Sequence, residues 1–554
     1  MAAQVVAAGD GGSWPQQWRL TLVLAALVPL LSLCLLLART TRRARASSWS
    51  SSSKGRRLDV HRLPPGPPRL PLLGNLHQLG SLPHRSLREL ARRHGPVMLL
   101  RLGSVPTLVV SSADAAREVM KARDADCCSR PDTPGARRLS YGHKDVAFAP
   151  YTDYWRQMRK LFVVELLSAR RVRAADHARE AEVDKLIARL SSAGGKPVQL
   201  EDHMFALMDG VIGTVAFGNI YGAEQFAHRN HFHDVLDEAL SAKAGFSAED
   251  YYPNAAGRLV DRLTGAAARR ERVFRDLDAF FDTIIDQHLV DPSSSLSSAT
   301  TTPDLIDVFV DLMEESRRQP QVHGSLRFTR DHIKGLLSNV FTAGVDTSSV
   351  TMVWAMAELI RRPAMLRKAQ EEVRSVVGGD RERVHPDDVP KLRYLKAVVK
   401  ETLRLHPAAP LLLPRETMRH VSVCGYDVPA KTRVLVNAWA IGRDPRSWGP
   451  RPEEFDPARF EDGGDVGFNG THFELIPFGA GRRMCPGIAM GVATMEFTLA
   501  NLLYCFDWEL PEGVGVEDVS MEEAGSLTVH KKTPLLLVPT RYKANCQSRH
   551  SFQF

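Results

Sequence analysis

Cysteine is scarce and badly placed for bridging. The 554 residues hold seven, Cys34, Cys127, Cys128, Cys424, Cys485, Cys505 and Cys546. An odd number, with two adjacent and no paired spacing, excludes a disulfide framework and fits a reducing compartment. No self-similarity with a period of about 20–50 residues is present, which excludes solenoids and propellers. No dinucleotide fingerprint is present either. The nearest approach, Gly479-x-Gly481, has Met484 where the third glycine would stand. Net charge is also nearly absent over most of the chain. The total is +8. Between Arg39 and Arg62 lie eight basic residues and one acidic, a balance of +7, and Asp10 cancels Arg19. From Leu63 onward the balance is therefore +8 − 7 = +1, too little for a nucleic-acid footprint.

What is present begins with an apolar run, Leu20 to Ala38, broken only by Thr21, Pro29 and Ser32. As a helix it spans about 28 Å, close to the hydrocarbon thickness of a bilayer. The arginines follow it rather than precede it, so its C-terminal side belongs in the cytosol. A cleaved signal peptide would need a basic start, a shorter apolar core and a small-residue cleavage site, and these fit poorly. A Ser-rich basic linker leads to Pro64-Pro65-Gly66-Pro67-Pro68, an extended, semi-rigid segment. The expected organisation is an N-terminal segment 1–38 with an anchor at 20–38, a linker 39–68 and one catalytic domain 69–554.

Within that domain, Val97–Leu102 and Thr107–Val110 read as strands joined at Gly103-Ser104. From Ala113 helical spacing dominates. The fold class is mainly α with a smaller β-rich part. Asp291 to Pro303 reads as an exposed Ser/Thr-rich loop. His228, His231 and His233 read as a solvated helix end. Asn469-Gly470-Thr471 is a sequon that stays unused on the cytosolic side.

The chemistry gathers near the C-terminus, in Pro477-Phe478-Gly479-Ala480-Gly481-Arg482-Arg483-Met484-Cys485-Pro486-Gly487. A helix is predicted from Gly487 to Tyr504, with Pro486 in its first turn. Cys485 then lies near a helix N-terminus, where partial positive charge favours a thiolate. Such a thiolate serves a nucleophile, a metal or a haem. A second helix is predicted from Thr329 to Arg361, with Ala343-Gly344-Val345-Asp346-Thr347-Ser348 at its centre. Hydroxyl and carboxylate there compete with the helix ladder. Glu401 and Arg404 share a helix face at i and i+3. Left exposed, such a pair is worth less than about 1 kcal/mol. Trp155 and Arg159 stand at i and i+4.

The pattern Phe478-x-x-Gly481-x-Arg483-x-Cys485-x-Gly487 resembles the haem-binding signature of the cytochrome P450 family at every fixed position. The resemblance covers nearly the whole chain. It is plant-like in its anchor, its proline hinge and Phe148-Ala149-Pro150-Tyr151. It implies a cytochrome P450 fold preceded by one transmembrane helix, in the endoplasmic reticulum membrane, with the catalytic domain cytosolic. It implies haem b, with Cys485 as the axial thiolate of the iron. Arg159, Arg415 and Arg483 are carried over as partners of the haem propionates, and Trp155, which with Arg159 matches the family's Trp-x-x-x-Arg pattern, is carried over as a haem-binding residue. Gly344 would leave room for dioxygen, Thr347 would supply a proton-delivering hydroxyl, and Asp346 would link it to a proton source. Glu401, Arg404 and Arg459 would form a structural triad, although the acid usual before that arginine is Ala458 here.

The same resemblance implies a monooxygenase that takes electrons from NADPH–cytochrome P450 reductase, docked near Arg156, Lys160 and Arg482, since no flavin or nicotinamide motif is present. The substrate would be small and hydrophobic. Its pocket would be lined from Arg137 to Val146, at Phe341 and Thr342, from Ala408 to Leu413 and from Gly525 to Leu527. Asp126–Pro131, Gly213–Tyr221 and Tyr252–Leu259 resemble an aldoxime-converting grass branch of the family, which implies an aromatic aldoxime converted to a hydroxynitrile. A hydroxylase of another phenylpropanoid, indole or terpenoid is the alternative. A reductase-independent haem-thiolate isomerase or dehydratase and a non-catalytic haem sensor are others, both disfavoured by Asp346-Thr347.

Overall fold

The computed structural model describes residues 63–218, 247–290, 304–318, 327–461, 466–525 and 527–542, with Val235, Glu238, Ala239 and Ala242. The expected anchor at 20–38, most of the basic linker, His228, His231, His233 and the 291–303 loop lie outside these residues.

The proline segment is packed in place rather than a plain spacer. The Leu99 N–H donates to the Pro65 carbonyl (2.9 Å), and a Cβ on Gly66 would collide with the Leu99 carbonyl oxygen. Asn75 Nδ2 donates to the Pro67 and Pro68 carbonyls (3.3 and 3.2 Å). Among the described residues, the contacts of the fold therefore begin near Pro64. Helix α1 (Pro83–His94) follows, with proline at its first position, where no backbone donor is missed. Then come β1 (Val97–Leu102) and β2 (Val105–Val110), antiparallel from Val97↔Val110 to Leu102↔Val105, turning at Gly103 with φ +61°.

The helices of the middle of the chain include α2 (Pro134–Leu139), α3 (Asp153–Leu166), α4 (Leu200–Phe217), α5 (Ala255–Leu263) and α6 (Ala266–Val290). The central element is α7 (Arg330–Ile360). Thr329 caps it: its N–H and hydroxyl lie 3.1 and 2.7 Å from His332 Nδ1. Residues are buried all round it, as expected of a helix enclosed by protein. It packs against α4 and, further along, against α8 (Arg393–Leu405) and α9 (Ile488–Cys505). Helix α9 is long and apolar enough to cross a membrane, but 67% of it is buried inside the protein. It starts one residue after the expected position. Gly487 is its cap, and Pro486 precedes the helix instead of opening its first turn.

Strands β3 (Arg415–Glu416) and β4 (Arg433–Val436) complete a sheet ordered β1-β2-β4-β3, in which β2 and β4 run parallel. A second sheet joins Val198–Gln199, Leu536–Arg541 and Phe506–Glu509. The main apolar core gathers residues of α3, α4, α6, α7, α8 and α9. A second core lies on the first sheet, where Val97, Leu108, Val110 and Val434 meet Phe473, Ile476 and Ala480. The cysteine loop is thus seated between the helical core and the sheet. Glu523 ties the ends of the domain together. Its carboxylate lies 2.9 Å from His84 Nε2 and accepts from Arg85 Nε (2.7 Å) and Trp439 Nε1 (3.1 Å).

Candidate active site

The loop before α9 is closed on itself. The Cys485 N–H donates to the Phe478 carbonyl (2.9 Å), Met484 to Gly481 (3.0 Å) and Gly479 to Ile476 (3.0 Å). Gly479 and Gly481 sit at φ +69° and +70°, where a side chain is strained. A Cβ on Gly481 would also collide with the Met120 carbonyl oxygen and lie 2.6 Å from Asp124 Oδ1. Phe478 packs edge-on against Phe468 (5.3 Å). Cys485 is half-buried by surface yet deep within the protein. Burial pushes its thiol up; the Gly487 N–H and the Arg159 guanidinium pull it back. Coordination to a metal ion would deprotonate it outright.

Around this loop stand four guanidinium groups. Arg483 donates from Nε, Nη1 and Nη2 to the carbonyls of Cys128 (2.8 Å), Val146 (3.2 Å) and Ala149 (2.6 Å). It lies 4.0 Å over the ring of Trp155, whose Nε1 donates to the same Val146 carbonyl (2.9 Å). Arg415 bridges Asp124 (2.8 Å) and the Ala480 carbonyl (2.6 Å). Arg159 donates to the Met484 carbonyl next to the cysteine. The fourth, Arg130, lies in the Asp126–Pro131 stretch but was not expected at the haem. Its Nε donates to Ala147 (2.9 Å), and its Nη1 to Leu413 (2.8 Å) and Pro414 (2.7 Å). The arginines expected at the propionates therefore also hold this loop and its neighbours by their carbonyls, each with N–H groups to spare.

Charge is unbalanced here. Arg130, Arg415 and Arg483 are buried beside the half-buried Arg159, and the buried carboxylates among them are Asp124 and Asp145. Burial, with Arg483 and Arg415 nearby, holds the Arg130 guanidinium well below the usual arginine range. Arg483 is lowered to about 10, mainly by burial. A group with two carboxylates would compensate this excess, since planar guanidinium forks match carboxylates. Haem carries two such carboxylates, and the residues fit it.

On the other side, α7 is enclosed except at its centre. Ala343 is exposed, and Gly344, Asp346 and Thr347 are half-buried. Thr347 Oγ1 donates back to the Ala343 carbonyl (2.7 Å). A Cβ on Gly344 would meet Ile212 Cδ1 at 2.8 Å, so glycine permits the close approach of α4. One expectation changes here. Phe341 and Thr342 are buried in the core, Phe341 stacked on Phe217 (4.8 Å) and Thr342 bonded to Ser338 (2.5 Å). The opening is at Ala343. Of the other expected lining, Ala408, Ala409 and Leu411 to Leu413 are half-buried, and Ser526 lies outside the described residues.

Glu401 and Arg404 are both buried and bidentate, at 2.6 Å for each bond, so the weak exposed-pair reading does not apply. Arg404 also donates to the carbonyls of Gly442, Pro452 and Glu454. Glu401 accepts from the Asp456 N–H (2.7 Å), with Arg459 Nε 3.5 Å away. Arg459 donates to Trp448 (2.8 Å) and Arg451 (2.6 Å). Ala458 meets the site only through its N–H, capped by Asp456 Oδ1 (3.2 Å).

Comparison with known proteins agrees with this geometry. The family profile described as Cytochrome P450 matches residues 64–538. Two solved zebra fish cytochrome P450 structures, one with abiraterone and one with progesterone, superpose with TM-scores of 0.67 and 0.69. Both are 25% identical and cover 84% and 83% of this chain, which spans 100% and 99% of theirs. The chain belongs to the cytochrome P450 family. It is a monooxygenase whose cofactor is haem iron with an axial thiolate. Among curated relatives, 4-hydroxyphenylacetaldehyde oxime monooxygenase of Sorghum bicolor is 59% identical, with 96% of this chain and 97% of the relative covered. The 2-methylbutanal oxime monooxygenase of Manihot esculenta is 45% identical, with 96% and 98% covered.

Proposed function

We propose that the substrate is 4-hydroxyphenylacetaldehyde oxime and the product the corresponding hydroxynitrile. The observation that carries this is the 59% identity to the sorghum enzyme across 96% of the chain, with a second oxime monooxygenase at 45%. The conversion has two stages. Loss of water from the aldoxime gives a nitrile. Dioxygen, two electrons and two protons then place one oxygen on the adjacent carbon and release the other as water.

Cys485 would hold the haem iron, and Arg130, Arg159, Arg415 and Arg483 its carboxylates. When bound, the haem supplies dioxygen activation, with thiolate electron density favouring O–O cleavage. The chain's own task is protons and position. The Thr347 hydroxyl donates to Ala343 at rest. By rotating, it would present its proton toward the open centre of α7, with Asp346 beside it as the next carrier. The buried rings of Phe341 and Phe217 and the side chain of Ile212 back this centre with apolar surface, which keeps water away.

The reading extends to partners. Retention at the endoplasmic reticulum membrane through 20–38 is supported by exposed apolar side chains near the first described residues. Leu70, Leu72 and Leu73 are 47%, 66% and 48% exposed, and Leu263 of α5 is 78% exposed. Tyr252 links the two groups by donating to the Leu72 carbonyl (3.1 Å). For NADPH–cytochrome P450 reductase, Arg156 is already paired with Asp153 and Arg482 with Asp124. Lys160 is exposed, and among the described residues it has no ion pair to hold it.

The test is the purified chain with reductase and NADPH, with and without dioxygen. The expected result is nitrile alone without dioxygen and hydroxynitrile in air. An untouched oxime, with another phenylpropanoid, indole or terpenoid hydroxylated instead, would sink the substrate reading. Turnover without NADPH would point to the isomerase or dehydratase class.

A further inference from the structure

Asn339 lies on α7 one helical turn before Ala343 and two before Thr347, so the three share a face. Its side chain is buried, and its orientation is fixed by its partners. Oδ1 accepts from the N–H groups of Val146 (3.0 Å) and Ala147 (3.1 Å). Nδ2 donates to Asp145 Oδ2 (3.0 Å). Asp145 is fully buried and accepts from the Phe148 N–H (3.2 Å). The same loop turns its carbonyls the other way. Val146 accepts from Trp155 and Arg483, Ala147 from Arg130, and Ala149 from Arg483. These peptides are strung between one amide of α7 and the guanidinium groups that fit the haem carboxylates.

We propose that Asn339, with Asp145, is a positioning residue that sets the haem edge in register with the proton-delivering turn at Thr347. The helix acts as a ruler, since Asn339 and Thr347 are held about 12 Å apart along its axis. The Asn339 amide fixes where the 145–149 loop lies along that ruler, and the loop fixes Arg130, Arg483 and Trp155. This rests on the haem-thiolate site and holds whichever substrate the enzyme takes.

The test exchanges the two side chains. Asn339→Asp keeps the acceptor for Val146 and Ala147 but sets a carboxylate against Asp145. Adding Asp145→Asn restores donor and acceptor with the net charge unchanged. Three readouts need no oxime: haem transfer to an apo-globin, the thiolate-type fraction of the reduced carbon monoxide spectrum, and peroxide formed per NADPH with reductase. The single variant is expected to release haem at least about fivefold faster and to form about threefold more peroxide, as a desolvated like-charge pair displaces the loop. The double variant is expected to return to within about twofold of the parent. If Asn339 only anchored a loop, melting would fall while haem release and peroxide stayed at parental values, and that result overturns the proposal. So does a double variant no better than the single one. If the single variant yields no holoenzyme, recovery of holoenzyme by the double one supports the proposal, and its failure overturns it.

Discussion

Glu401→Gln is the sharpest structural test of how the cysteine loop is supported. The substitution keeps shape and removes charge. Arg404 then loses the carboxylate it is paired with while remaining fully buried, with its other donors held by Gly442, Pro452 and Glu454. Breaking a buried pair by removing one partner costs about 3–5 kcal/mol. If the glutamine turns its NH2 toward the Asp456 N–H, that donor is orphaned too, at about 1–3 kcal/mol. The sum, about 4–8 kcal/mol, compares with a total stability of about 5–15 kcal/mol for a typical domain. The variant should therefore accumulate little thiolate-type holoprotein, below about one tenth of parental yield. The assay is the reduced carbon monoxide spectrum per milligram of purified chain, followed against temperature. Parental yield with melting within about 2 °C would refute the reasoning, because no reorganisation of a buried guanidinium so bonded could hide the loss.

Gly481→Ala forces a side chain to φ +70° against Met120 and Asp124, and should cost at least about 1–3 kcal/mol, read from the urea midpoint. Thr347→Ala should leave haem content and substrate binding near parental values but divert electrons to peroxide, read as product per NADPH. Glu523 is held at about 2 from an ordinary 4.5 by His84 and Arg85, which outweigh its burial. A carboxylate depressed in the folded state stabilises above its unfolded pKa and loses that contribution as pH falls through the folded one. The loss should reach about 2 kcal/mol by pH 3, out of about 3 in all, and Glu523→Gln should flatten the urea midpoint over this window.

The long elements were legible because their signals are local. Thr329 and the apolar run behind it set the start of α7, and the apolar stretch after Gly487 gave α9 to within a residue. Cys485 stood out because four other fixed residues surround it in a ten-residue pattern. What stayed hidden depends on contacts between distant segments. No local signal tied Arg130 or Asn339 to this site; their places come from carbonyls and N–H groups of the 145–149 loop and of Leu413. Gly344 carried a motif, but its close approach to Ile212, on a helix more than a hundred residues earlier, did not show in the sequence. Phe341 and Thr342 were placed beside the opening correctly in sequence but on the wrong helix face, since one residue is about 100° of rotation.

The bond network around Glu523 also says something about how the protein is made. His84 and Glu523 are 439 residues apart, and at about 5–20 residues per second the ribosome needs roughly 20–90 s to deliver the second after the first. Helix α9, central to the main core, and the cysteine before it arrive nearly as late. For most of its synthesis the chain lacks α9, and Cys485 with it. The apolar surface of α7 and α8 that packs on α9 waits uncovered in that interval, and chaperones have their longest access then. A chain cut short before residue 485 would lack Cys485 and the core helix α9 together, so partial products could not complete the main core.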